Sequence, residues 1–209
     1  MNTANAIIYV VDDDASFRNA VSRLLRAGGY AFRTFASATE FLQSARPDVP
    51  GCVLLDLRMP GCGGLDVQSA LARSGDPLPI VFLSGHGDIS TSVRAIREGA
   101  DDFLTKPVKK AVLFPAIERA LARDARERAQ RVRHHALRAR FDTLTPRERE
   151  VLSHVLSGQL NKQTAVDLDA SERTIKAHRA NLMAKLQVQS VAELAHLAHE
   201  AGLVSASHQ

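Results

Sequence analysis

Five polar side chains, Asp12, Asp13, Asp56, Ser84 and Lys106, each fall where a short β-branched or leucine-rich run stops. Asp12 and Asp13 follow Ile7 to Val11, Asp56 follows Cys52 to Leu55, Ser84 follows Ile80 to Leu83, and Lys106 comes just after Phe103 to Leu104. If these runs are strands of one parallel sheet, their carboxyl ends share an edge, and ligands bind outside that edge. Three carboxylates, a hydroxyl and an ammonium gathered there suit a divalent cation and a phosphoryl group moving on and off Asp56. Carboxylates so close raise one another's pKa unless a cation joins them, and an all-oxygen set with room for water suits Mg2+. With charge screened in this way, Asp56 can act as a nucleophile toward phosphorus. Lys106 would pair with the attached phosphoryl group, and Ser84 would turn its hydroxyl toward it. The plainer reading, acids that only cap helices and strand ends, explains each residue singly but not their joint placement.

Other phosphate chemistries fit less well. Gly61-Cys62-Gly63-Gly64-Leu65-Asp66 is glycine-rich, but Asp66 stands at the third glycine of a dinucleotide loop and no P-loop lysine follows. A phosphohydrolase with an aspartyl nucleophile would want a second acid two residues on, where Arg58 stands. Stored phosphate fits better than rapid turnover, so enzyme activity is expected only toward the protein's own Asp56.

The elements that must position these residues follow from periodicity. Apolar runs at Ile7 to Val11, Ala31 to Phe35, Cys52 to Leu55, Ile80 to Leu83 and Phe103 to Leu104 alternate with amphipathic stretches at the spacing of βα units. The helices read as Ser16 to Ala27, Ala38 to Ser44, Leu65 to Arg73, Ile89 to Glu98 and one from about Lys109, with Gly28-Gly29, Gly75 and Gly99 near their ends. Pro115 inside that last helix predicts a kink or a late start. From Leu121 to Arg140 large apolar residues thin out and Arg126, Arg128, Arg131 and Arg133 appear, as in a helical, solvated connector. Thr145-Pro146-Arg147-Glu148 is a capping box with proline at the first helical position, and Ser190-Val191-Ala192-Glu193 repeats the device before a helix that ends at Gly202. Between them a short helix from about Asn161 to Leu168, the turn Asp169-Ala170 and a helix capped by Ser171 and running to about Leu186 describe a helix-turn-helix.

Composition sets the frame. The 209 residues are 45% hydrophobic, enough for two cores. Cys52 and Cys62 have neither C-x-x-C spacing nor metal partners, and no apolar run approaches membrane-spanning length, so a soluble protein in the reduced cytoplasm, not at a membrane, is expected. The formal charge of +4 is uneven: residues 1–120 carry 13 basic and 13 acidic side chains, residues 121–140 carry 7 and 2, and residues 141–209 carry 7 and 8. Within the last part, Arg173, Lys176, Arg179 and Lys185 share a span without an acid, and a concentrated positive face is what phosphate backbones attract.

Val11-Asp12-Asp13, Asp56-Leu57-Arg58-Met59-Pro60-Gly61, Ser84-Gly85-His86-Gly87-Asp88 and Lys106-Pro107 resemble a two-component receiver domain. The resemblance implies a flavodoxin-like fold, a doubly wound five-stranded parallel sheet, over residues 5–121. It also implies phosphorylation of Asp56 by a sensor histidine kinase, and Mg2+ held by Asp13, Asp56 and the Arg58 carbonyl with Asp12 assisting. Phe103 matches the switch aromatic that moves with the Ser84 hydroxyl. Leu144 to Leu203 resembles the LuxR-type helix-turn-helix, a small all-α DNA-binding domain over residues 142–205, with 122–141 as linker. The whole order resembles the NarL/FixJ response regulators, the FixJ branch above all. Ser84, where threonine is common in that branch, and Pro115 are the departures. By resemblance, phosphorylation makes the face of Ile89 to Glu98, the last strand and the helix after Lys109 self-complementary, giving a homodimer. The final helix, through Leu194, Leu197, Ala198 and Ala201, is then expected to pair two DNA-binding units, and a contact with RNA polymerase is open.

In the basic helix, Ile175, Leu182 and Leu186 at helical spacing point inward, which turns Arg173, Lys176, Ala177 and Ala180 outward into the major groove. Lys176 could reach a guanine edge, and Ala177 and Ala180 could touch a thymine methyl. Arg173, Thr174, Arg179 and Lys185 are expected to hold phosphates, and His178 a structural or phosphate role. Roughly four phosphate contacts per subunit of a dimer give a log-log salt slope near −7. The rival reading is a LuxR-type regulator controlled by a ligand or partner; such a ligand domain would want an aromatic pocket, yet aromatics are 5% and Trp is absent.

Overall fold

The computed structural model describes residues 6–74, 78–85 and 89–203; of the positions singled out above, residues 1–5, Gly75, His86, Gly87, Asp88 and residues 204–205 lie outside them. The chain divides into two compact units, Met1–Arg128 and Ala129–Gln209.

The first unit runs β1 (Ile7–Val11), α1 (Ala15–Ala27), β2 (Ala31–Phe35), α2 (Ala38–Gln43), β3 (Gly51–Asp56), α3 (Gly64–Arg73), β4 (Ile80–Ser84), α4 (Ile89–Arg97), β5 (Asp102–Thr105) and the first part of α5 (Lys110–Asp142). All five strands are parallel, in the order β2-β1-β3-β4-β5. Because side chains alternate across a strand, the near-continuous apolar runs feed two cores at once, as a parallel sheet covered on both faces requires. Tyr9, Val11, Val53, Leu55 and Phe82 pack with Phe41 of α2, Val67 and Leu71 of α3 and Ala95 of α4. Their neighbours Ile8, Val10, Cys52, Leu54, Val81 and Leu83 pack on the other face with Val21 and Leu25 of α1 and Leu113, Ile117 and Leu121 of α5. Each large side chain so buried contributes about 1.5–3 kcal/mol.

The helices begin and end where short-range chemistry dictates. Asp14 caps α1 and Ser37 caps α2, while Gly29 and Gly99 take the left-handed backbone expected of helix ends (φ 75° and 99°). Gly28 itself is right-handed; a Cβ there would sit 2.6 Å from the Phe114 ring, so its service is close approach to α5. Pro115 brings no late start, because α5 begins at Lys110 and runs through it. So near the helix start the proline removes only one N–H from the ladder.

The second unit holds the end of α5, α6 (Pro146–Leu156), α7 (Asn161–Asp167), α8 (Glu172–Leu186) and α9 (Val191–Glu200). Its core is Leu137, Phe141, Leu144, Val151, Leu152, Val155, Ala165, Ile175, Leu182, Leu186, Leu194, Ala198 and Ala201. Thr145 and Glu148 form the reciprocal capping box, and Ser171 and Ser190 cap α8 and α9. Asp169, in the turn between α7 and α8, has φ 47°, a left-handed position that aspartate tolerates better than most residues.

The stretch read as a solvated connector is helical but only partly solvated. Asp124 is fully buried in the first unit, and Leu137 and Phe141 are buried in the second. The pairing surface expected on α9 also needs correction: Leu194, Ala198 and Ala201 are fully buried in their own domain's core, and Leu197 packs against it. A helix this short spends its apolar stripe on its own domain, which leaves Val191, Ala192, Ala195, His196 and His199 outside.

Candidate functional site

The strand order puts β3 between β1 and β4, with β5 beyond β4, so four carboxyl-terminal ends stand in a row. Val11 lies beside Leu55, Asp56 beside Leu83, and Ser84 beside Thr105. Asp12, Asp13, Asp56, Ser84 and Lys106 therefore meet at one sheet end, as their positions after the apolar runs require.

One carboxylate oxygen from each of Asp12, Asp13 and Asp56 lies within 4.8 Å of the others, the sole group of this kind among the described residues. Asp12 is 1% exposed and Asp56 7% exposed, while Asp13 is exposed. Asp12 Oδ1 accepts from the Asp14 N–H at 2.9 Å. The Lys106 ammonium donates to Asp12 Oδ2 at 2.6 Å and stands 3.3 Å from Asp56 Oδ1. Ser84 is buried, and its carbonyl accepts the Lys106 N–H at 2.8 Å, which fixes the start of the lysine's reach.

Burial pushes the Asp56 carboxyl above its ordinary range, and the charge of Asp12 pushes it further; Lys106 and the Arg58 N–H pull it back without winning. Both lifting effects are relieved by a cation, and the donor set is all oxygen. The three acids therefore fit a hard divalent ion such as Mg2+.

The glycines read earlier as a failed dinucleotide loop have a steric purpose. A Cβ on Gly64, the first residue of α3, would lie 2.6 Å from the Asp56 carbonyl and 2.8 Å from the Phe82 ring. Glycine lets α3 start against the backbone that carries Asp56.

Phe103 is half-buried, its ring 6.4 Å from that of Phe82 and packed against the core under α2, α3 and α4. Two residues that sequence reasoning passed over complete the pocket. Phe17 puts its ring 4.3 Å from Lys106 Nζ, and Arg18 donates to the Asp12 carbonyl at 2.6 Å. The available signal was position: the first turn of a helix leaving β1 must lie over the same sheet end as Asp12 and Asp13.

In the second unit, Ile175, Leu182 and Leu186 are fully buried, which leaves Arg173, Thr174, Lys176, Ala177 and Ala180 exposed on α8. Lys176 pairs with Glu172 one turn earlier at 3.0 Å, an exposed contact worth little. Arg179 donates to Asn161 Oδ1 at 3.0 Å, tying α8 to α7, and His178 is half-buried. Lys185 has a different employment from the phosphate contact expected of it. Its ammonium lies 2.7 Å from Oε2 of Glu148, the capping-box acid, which is 3% exposed. The lysine hydrogen bond is the largest of the influences that hold the Glu148 carboxyl below its ordinary range.

Comparison with known proteins covers both units. Residues 8–118 match the family described as "Response regulator receiver domain", and residues 142–198 match "Bacterial regulatory proteins, luxR family". The chain is 46% identical over 194 residues to the response regulator protein TmoT of Ectopseudomonas mendocina, covering 93% of this chain and 88% of that one. It is 37% identical over 203 residues to the transcriptional regulatory protein FixJ of Bradyrhizobium diazoefficiens, covering 97% and 99%. The solved structure of the response regulator StyR superposes with a TM-score of 0.81 at 43% identity, over 94% of this chain and 99% of that one.

Proposed function

Since the chain belongs to the NarL/FixJ family of two-component response regulators, transcription regulators with a receiver and a LuxR-type DNA-binding domain, we propose that Asp56 is its phosphoacceptor and that the adduct controls DNA binding. The observation that carries this reading is the buried Asp56 carboxyl grouped with Asp12 and Asp13, 3.3 Å from the Lys106 ammonium. We assign the receiver to residues 5–121, the DNA-binding domain to 142–205 and the connection to 122–141.

Asp13, Asp56 and the Arg58 carbonyl, assisted by Asp12, would hold Mg2+, which when bound screens the charge between carboxylate and phosphoryl oxygens. Asp56 supplies the nucleophilic oxygen. An O–P bond forms to Asp56 as the P–N bond to a phosphohistidine of the partner kinase breaks, and the departing imidazole nitrogen keeps the electron pair. Lys106 then pairs with the phosphoryl oxygens, and the Ser84 hydroxyl donates to one of them. Phe103, which lines an open surface cavity together with Ser92, Val93 and Ile96 of α4, follows that movement. Phosphorylation in this way biases an equilibrium toward a homodimer on promoter DNA. Arg173, Thr174 and Arg179 hold phosphates there, and Lys176, Ala177 and Ala180 meet base edges. The setting is the cytoplasm, with a contact to RNA polymerase left open. No helix among the described residues is long and apolar enough to cross a membrane.

The test is incubation with Mg2+ and acetyl phosphate followed by intact mass and by DNA binding. One added phosphoryl group that persists, disappears in Asp56→Asn and raises DNA affinity is expected. An adduct that survives Asp56→Asn, or one that leaves affinity and mass in solution unchanged, refutes the reading. Ligand control of a LuxR-type regulator is not favoured, because residues 8–118 match the receiver family.

A further inference from the structure

The Lys106 ammonium has a neighbour that the carboxylates do not account for. Besides Asp12 Oδ2 at 2.6 Å and Asp56 Oδ1 at 3.3 Å, it stands 4.3 Å from the centroid of the Phe17 ring. An ammonium fans out three N–H bonds, and two carboxylates and a π face are three partners for them. The negative face of an aromatic quadrupole attracts a cation, more strongly where water is largely excluded, and the Lys106 side chain is 17% exposed.

Phe17 is held in that place by its own helix. It is the third residue of α1, and its N–H donates to Asp14 Oδ1 at 3.2 Å, beside the Ser16 N–H at 2.8 Å. The next residue, Arg18, donates to the Asp12 carbonyl at 2.6 Å. The turn that carries the ring is thus fastened to the same loop that carries the pocket's acids. The ring itself is half-buried against the core formed with α1 and α5.

We propose that Phe17 is a positioning residue for phosphoryl transfer: its ring keeps the Lys106 ammonium at the pocket, ready to pair with the oxygens of the incoming phosphoryl group. The inference rests on Asp56 being the phosphoacceptor. A lysine stem is flexible and loses rotamer freedom when its head is fixed. A ring that has already confined the head removes part of that loss from the transfer step. Without the π face, formation of the Asp56 adduct slows by about three- to tenfold.

Phe17→Leu keeps most of the apolar volume and removes the π face. A series of increasingly fluorinated phenylalanines at position 17 keeps the ring and drains its quadrupole, so a variant that folds poorly does not decide the matter. Two readouts are needed. In protein without Mg2+, the Lys106 side-chain methylene protons nearest the ammonium should be shifted upfield by the ring current, and Phe17→Leu should abolish that shift. With Mg2+ and acetyl phosphate, the adduct rate should fall stepwise along the fluorinated series, and Phe17→Tyr should recover most of the rate lost in Phe17→Leu. A rate that is flat across the series, or Lys106 protons without a ring-current shift, overturns the role of Phe17. Adduct formation in Asp56→Asn overturns the phosphoacceptor reading beneath it, and is told apart because it appears with Phe17 intact.

Discussion

The acidic pocket of the receiver and the DNA-binding domain are built by opposite means. The pocket assembles from residues as distant as Asp12 and Lys106, 94 positions apart, and exists only because five strands pair in one order. The DNA-binding domain is laid out by local signals, a capping box at Thr145 and serine caps at Ser171 and Ser190, around one apolar stripe per helix. Topology can place several charges against one another at the end of a sheet, with the cost of crowding spread over a large core. Local capping fixes where helices start but gives little control over distant charges. Exceptions are the pair between Glu148 and Lys185, which joins the start of α6 to the last turn of α8, and the exposed pair between Arg133 and Glu200.

That contrast can be broken most decisively through the second core. Leu182→Ala removes a fully buried side chain and should cost about 2–5 kcal/mol in urea unfolding of the C-terminal unit. The Asp56 adduct should form at the wild-type rate; a loss of phosphorylation would mean that the two units do not fold independently.

A smaller effect tests one of the long-range charge pairs. Lys185→Ala leaves the carboxylate of Glu148 poorly compensated and should cost about 1–3 kcal/mol. Because the folded-state pKa of Glu148 is depressed, its contribution is complete above the ordinary glutamate range and is lost as pH falls through that range to the folded value. Urea midpoints from neutral pH downward should fall in the wild type and fall less in Lys185→Ala. With Lys185 engaged by Glu148 and Thr174 uncharged, Arg173 and Arg179 leave about two neutralised phosphates per subunit, for a salt slope near −4 in the dimer rather than −7. Arg173→Ala should flatten that slope by about 2, whereas Lys185→Ala should leave it in place, as fluorescence titrations of promoter DNA against salt would reveal.

The smallest effect has the opposite sign. Asp56 has a raised folded-state pKa, so its charge opposes folding above that value, and the penalty disappears as pH falls to the ordinary aspartate range. Asp56→Asn should therefore melt at a higher temperature than the wild type at neutral pH without Mg2+. The difference should shrink on acidification and on adding Mg2+. A lower melting temperature for Asp56→Asn would show that Lys106 outweighs burial.

Most of the fold was legible because strand runs and caps are short-range signals. Ile7–Val11 and Ala31–Phe35 end where their apolar residues do, and Asp56 and Ser84 were misjudged only as falling after strands they in fact terminate. The convergence of the acids was legible through topology alone. What escaped were partners that no spacing announces. Phe17 needs the course of α1 over the sheet end, and Lys185 needs the packing of α8 on α6. Leu137 and Phe141 stand at i and i+4 beside Leu144, a stripe hidden among arginines; their burial takes the end of the supposed connector into the second core. On α9 the apolar residues were assigned outward because pairing was expected, although a four-helix domain of this size has none to spare.

Asp124 gives the central strand a fixed foot. Its carboxylate accepts the Gly51 N–H at 2.8 Å and the Arg128 guanidinium at 2.8 Å, and Arg128 reaches on to Asp48. All six residues of β3 are buried, and the strand pairs on both sides. A ribbon clamped at its base and flanked along its length is braced against sliding. Under the proposed phosphorylation of Asp56, a response has a freer route sideways, through the outer strands and their helices, than along a strand whose base is tied to the root of α5.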